Sequence, residues 1–133
     1  MPTRRLIALR VALVTVGVVA LVAVYPLMLW WPAGFRWHPP QPEYDQMIVA
    51  IYATLGLFLL RAARQPLRHL SLIWFAVWSS VAHAGVMALQ AWRSPEEHAH
   101  FAGDIALLLI AALVLGGLTW RATRGPAAPP AAV

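Results

Sequence analysis

Apolar and polar residues alternate along this chain in long blocks, and the block lengths decide what they are. Four stretches are almost free of charge: about Leu6 to Trp31, Tyr44 to Ala63, Leu70 to Trp92 and Phe101 to Trp120. A bilayer-spanning helix needs about 20 mostly apolar residues. Each stretch meets that length, so the pattern predicts an all-α, four-transmembrane-helix bundle. In hydrocarbon every backbone amide must be paired within its own segment, which makes helices the expected form. The first stretch begins with Arg4, Arg5 and Arg10, as a signal peptide would. Its uncharged run from Val11 to Trp31 is longer than the usual signal core of about 7–15 residues, and no A-x-A site follows. It is read as a retained span.

Charge then sets the expected orientation. There are ten arginines and no lysine. Arg4, Arg5, Arg10, Arg61, Arg64, Arg68, Arg121 and Arg124 fall on one side of a four-span protein; only Arg36 and Arg93 fall on the other. The positive-inside rule puts both termini in the cytoplasm. The acids Glu43, Asp45, Glu96, Glu97 and Asp104 lie on or near the opposite, outer side. The arginines never form a long patch, so they read as topogenic charge and not as a nucleic-acid surface. Trp30, Trp31 and Trp92 mark outer helix ends and Trp120 an inner one, where indoles favour the headgroup level. One membrane domain over residues 1–123 is expected, with a disordered Pro/Ala-rich cytoplasmic tail over 124–133.

Composition narrows the chemistry. The chain is 61% hydrophobic and 11% charged and has no cysteine. Disulfides, thiolate metal sites and cysteine nucleophiles are therefore excluded. There is no phosphate-binding glycine loop, H-E-x-x-H or G-x-S-x-G pattern.

The third span carries the most information. Ser79, His83, Met87 and Gln90 recur at helical spacing and share a face. Ala76, Ser80 and Ala84 form a small-residue stripe beside it, of the kind that permits close helix contact. His83 lies nine residues from Trp92, about 13 Å inward, close to mid-membrane. A titratable group at that depth is a functional candidate. On the second span Asp45, Val49, Tyr52 and Gly56 make one stripe, and Tyr52 sits at a depth similar to His83. A Tyr52–His83 hydrogen bond is expected. His83, Tyr52, Met87 and Gln90 are the candidate cofactor-binding residues. Pro26 removes a hydrogen bond to the Val22 carbonyl and predicts a distortion in the first span.

Polar residues concentrate in two outer loops. RWHPPQPEYDQM, residues 36–47, has a stiff proline run followed by Glu43 and Asp45 at a helix N-terminus, where carboxylates are favoured. RSPEEHAHFAGD, residues 93–104, has Ser94 and Glu97 at capping-box spacing. His38, Glu43, Asp45, His98, His100 and Asp104 are the candidate metal ligands, since imidazole and carboxylate suit zinc, copper or non-haem iron.

Residues 36–91, with the HPPQPEY, IYATLGLFLLRAARQP and IWFAVWSSVAHAGVM segments, resemble a bacterial family of small four-helix membrane proteins recorded only as a domain of unknown function. With HAHFAGD the resemblance covers most of residues 30–110. It implies a four-span architecture and no reaction. The short GLFLLRAAR segment is also similar to DoxX-like membrane proteins, some of which accompany quinone-linked oxidoreductases.

The leading expectation is a non-catalytic accessory or assembly subunit, set in a homo-oligomer or a larger membrane complex, with the lipid bilayer as partner and no nucleic acid. The alternative is a redox accessory protein holding a metal or a quinone-like ligand. A small transporter comes third, because intramembrane charge, broken helices and an inverted repeat are not apparent.

Overall fold

The computed structural model describes residues 4–124. The tail expected over 124–133 lies, beyond Arg124, outside the described residues. The described residues form helices and turns, with no strand among them. Four helical stretches are long and apolar enough to cross a membrane. The first, α1, is Arg4–Trp30. The second and third are α2, Pro42–Ala62, and α3, Leu70–Arg93. The last runs over Pro95–Thr123, as a 3₁₀ segment Pro95–Phe101 followed by α4, Asp104–Thr123.

Prolines punctuate these elements. Trp31, Gln41, Gln65 and Ser94 each precede a proline, and all four have left helical geometry, with φ of −134°, −129°, −142° and −127°. The clash between a proline ring and the preceding residue disfavours the α region there. Pro32, Pro42, Pro66 and Pro95 in turn open the next helical segment, a position where the missing N–H costs nothing. The observed spans therefore differ from the expected ones by a few residues at their ends. The largest shift is in the last span, whose α-helix begins at Asp104 because Pro95–Phe101 is wound as 3₁₀.

Pro26 acts within α1. It has no N–H to offer Val22, and the turn before it, Val19–Ala23, is wound as a π-helix.

Helix α1 is the centre of the arrangement. It packs along both α2 and α4, and α3 packs most extensively on α4. Helices α2 and α3 are consecutive in sequence but touch each other much less. The α1–α2 crossing is close because it is made by two glycines. A Cβ on Gly56 would lie 2.6 Å from the Gly17 carbonyl oxygen and 2.8 Å from the Leu21 nitrogen.

Two apolar clusters form the interior. The larger joins Leu9, Leu13, Leu59, Ile73 and Leu115, toward the end that carries the chain's arginine-rich turns. The smaller joins Ala84, Met87, Ala91, Ile105 and Leu108, toward the end that carries His100. The outward faces are apolar as well: Leu113 is 75% exposed, Ile51 69% and Phe75 65%. A soluble bundle would place polar residues there; a bilayer accepts these directly.

Candidate functional site

A half-open cavity of about 1090 Å³ extends along the bundle, lined by residues of all four spans. Its wall on α1 extends from Ala8 to Met28, a rise of about 30 Å. The π-helical turn supplies Val19 and Ala20 to that wall. Leu107, Ala111, Val114 and Leu118 continue it on α4. Most of the length is therefore lined by aliphatic side chains.

Polar groups gather at one end of the cavity. Tyr52 on α2 and His83 on α3 both line it, and Tyr52 Oη is 3.0 Å from His83 Nδ1. This is the contact anticipated from their matching depths. Their rings lie nearly parallel, 20° apart with centroids separated by 6.1 Å. Met87 and Gln90 line the same wall one and two turns beyond His83. The structure thus brings together Tyr52, His83, Met87 and Gln90. Ser79 does not join them; its hydroxyl donates to the Ala76 carbonyl at 3.3 Å, and Ser80 lines the cavity instead. Ala76 and Ala84 of the small stripe are buried.

Above this pair the two polar loops lock together. His100 is completely buried and Glu97 is 4% exposed. His100 Nδ1 is 2.9 Å from Asp104 Oδ1, and its Nε2 is 3.1 Å from Glu97 Oε2. The second contact is close enough for an ion pair but is not aligned as a hydrogen bond, and neither atom has another partner. Glu97 Oε1 accepts the His38 backbone N–H at 2.8 Å and lies 3.2 Å from His38 Nδ1. Trp37 donates its indole N–H to Asp104 at 3.3 Å and stacks on the His100 ring at 4.2 Å. The backbones also meet, since a Cβ on Gly103 would collide with the Gly34 carbonyl. A chain of polar side chains therefore runs from His38, whose side chain is 57% exposed, through Glu97 and His100 to Asp104 on the cavity wall.

The six residues chosen as metal ligands do not converge. Asp45 is taken by Arg36, whose Nε donates to it at 2.9 Å. Glu43 is exposed in the first turn of α2. His98 is exposed and faces the Phe101 ring. Only His100 and Asp104 touch, and His38 reaches them through Glu97. Among the described residues no group of three or more histidines and acids is arranged to hold a metal ion. Ser94 makes no side-chain cap to the segment it precedes, so the capping-box reading of Ser94 and Glu97 also fails. Glu97 is the link between the loops that the sequence hid. Its spacing suggested a cap, whereas its side chain ties one loop to the other.

Four apolar spans around an intramembrane cavity define an all-α, multi-pass membrane protein. The chain belongs to a family of unknown function (DUF6632), whose model matches residues 4–130. No curated protein and no solved structure matches it.

Proposed function

We propose that this protein is a non-catalytic accessory component of a bacterial inner-membrane complex, and that it binds one long-chain amphiphile inside its bundle. The observation that carries this reading is the cavity: about 1090 Å³, long, aliphatic for most of its length and polar at one end. Ligand sites have this composition, with a predominantly apolar wall and a few convergent polar groups.

Size chooses among occupants. A methylene is about the size of a water molecule, whose share of liquid volume is about 30 Å³. The cavity therefore has room for roughly 35 heavy atoms, a chain-bearing lipid-sized molecule. The ligand's tail would follow α1 and its head would lie beside Tyr52 and His83. The arginine count supports the direction: eight of ten arginines lie at the end away from His100, which makes that end cytoplasmic and the polar end outer.

The test is native mass spectrometry of protein purified in a mild detergent, beside an Ala111→Phe variant that narrows the cavity. One retained long-chain molecule per chain, lost in the variant, is expected. Equal retention by both proteins would mean that the bound lipid is annular, and the proposal would fail.

A further inference from the structure

We infer that the cavity selects an uncharged, oxygen-bearing head group that both donates and accepts hydrogen bonds, such as a hydroquinone or phenol on a long hydrocarbon chain, and rejects anionic lipids. This rests on the cavity being a binding site.

The first argument is charge. The polar end is lined by Asp45, Glu96, Glu97 and Asp104, and no arginine lines the cavity. Arg36 reaches this end, but its guanidinium is committed to Asp45 at 2.9 Å, and His38, which lines the cavity, is paired with Glu97. Every carboxylate lining this end except the exposed Glu96 is already paired, so a phosphate or carboxylate head would be buried here with no free cation to receive it. An ion buried without a partner loses enough hydration to lower affinity more than about tenfold. A cationic head finds little to gain either. Asp45 is paired with Arg36, Glu97 with His38, and Asp104 with His100 and Trp37; Glu96 is exposed.

The second argument is hydrogen bonding. With the imidazole uncharged, the Tyr52–His83 pair keeps one unspent donor in either tautomer. If the Tyr52 hydroxyl donates to Nδ1, the His83 Nε2–H remains; if Nδ1–H donates to Tyr52, the hydroxyl proton remains. That donor suits a carbonyl or hydroxyl oxygen. Asp104 supplies the complement. Its Oδ1 accepts from His100 and from the Ile105 amide, and its Oδ2 accepts only the long indole bond from Trp37. A carboxylate oxygen has two lone pairs, so Oδ2 can take a ligand O–H. The Gln90 amide offers a further donor and acceptor on the same wall.

Three probes of one chain length test this: an alkyl hydroquinone, a fatty acid and an alkyltrimethylammonium. Each competes against a tritiated alkyl hydroquinone on full-length protein in neutral detergent. The hydroquinone is expected to bind at least about tenfold more tightly than either charged probe. Tyr52→Phe should weaken it about fivefold, the effect of one lost hydrogen bond, while leaving the fatty acid unchanged. Asp104→Asn, which removes a carboxylate from the polar end of the cavity wall, should raise fatty-acid affinity severalfold; Glu96→Gln gives a milder version at an exposed position. Equal binding of all three probes, abolished by Ala111→Phe, would keep the cavity as a binding site and overturn the selectivity. Tightest binding of the fatty acid or the ammonium would overturn it too. Retention of none of the three would overturn the cavity reading itself.

Discussion

The two ends of this bundle are held together by different physics. At the arginine-rich end, Leu9, Leu13, Leu59, Ile73 and Leu115 meet as a dry cluster in which each side chain is almost wholly buried. Polar links there are peripheral: Arg5 donates to the Arg124 carbonyl at 2.9 Å and Arg10 to the Arg64 carbonyl at 3.3 Å, both at the surface. At the other end the apolar cluster is smaller, with half as many buried residues. The structural role passes to His100, Glu97, Asp104 and Trp37. Apolar packing has no directional requirement, so the first end can close by volume alone. A buried polar lock holds only in one geometry, and it fixes the loops that roof the cavity. One end serves as an anchor and the other as a shaped site.

Removing the centre of the lock should have the largest effect. His100→Ala leaves the buried Glu97 and the partly exposed Asp104 without their shared partner. Breaking a buried ion pair from one side typically costs about 3–5 kcal/mol. Thermal unfolding in detergent should show a loss larger than for any single truncation at the opposite end. A shift below that of Leu59→Ala would mean that the lock contributes little and that the contrast between the ends is false.

Leu59→Ala is the matching test of the anchor. Leu59 is completely buried, and deleting such a side chain typically costs about 2–5 kcal/mol. The same assay applies. The spread depends on how far α1 and α3 can close over the space, so a value at the low end would show that this end relaxes more readily than its packing suggests.

The glycine crossing gives a smaller and sharper effect. Gly56→Ala forces a methyl to 2.6 Å from the Gly17 oxygen, a backbone atom that cannot rotate away. Overpacking of this kind costs about 1–3 kcal/mol. Gly85→Ala and Gly117→Ala meet nothing within 4 Å and should leave the unfolding midpoint almost unchanged. If all three variants behave alike, close α1–α2 approach is not a constraint.

These contrasts also explain what could be read from the residues alone. The four spans were legible because hydrocarbon demands length and apolarity, which are one-dimensional properties. The Tyr52–His83 contact was legible because helix rise converts residue counts into depth. The proline-set boundaries were partly legible: Pro66 and Pro95 are visible, but the 3₁₀ winding of Pro95–Phe101 moved the start of α4 to Asp104. The cavity was not legible, since it arises from which helices pack, and α2 and α3 barely do. Nor was the partnership of Glu97 with His38, because it joins loops 59 residues apart. Local spacing offered Glu97 a capping role, and tertiary structure took it elsewhere. The placement of the candidate metal ligands was hidden for the same reason: Asp45 and Asp104 lie in the first turns of different helices, α2 and α4, and each is held by its own partner, Arg36 and His100.

The smallest expected effect separates structure from function most cleanly. Tyr52→Phe removes one hydroxyl and its bond to His83. The net worth of such a bond to stability is about 0.5–1.5 kcal/mol, and water or lipid hydroxyls can serve His83 from the cavity side. Unfolding in detergent should therefore shift far less than for His100→Ala. If Tyr52→Phe instead destabilises the protein as much as the loss of His100, then the Tyr52–His83 bond is what closes the loosely packed α2–α3 seam. That pair would belong to the lock and not to the site. If stability is nearly unchanged, the hydroxyl is dispensable for folding and is left to serve the proposed ligand at the polar end of the cavity.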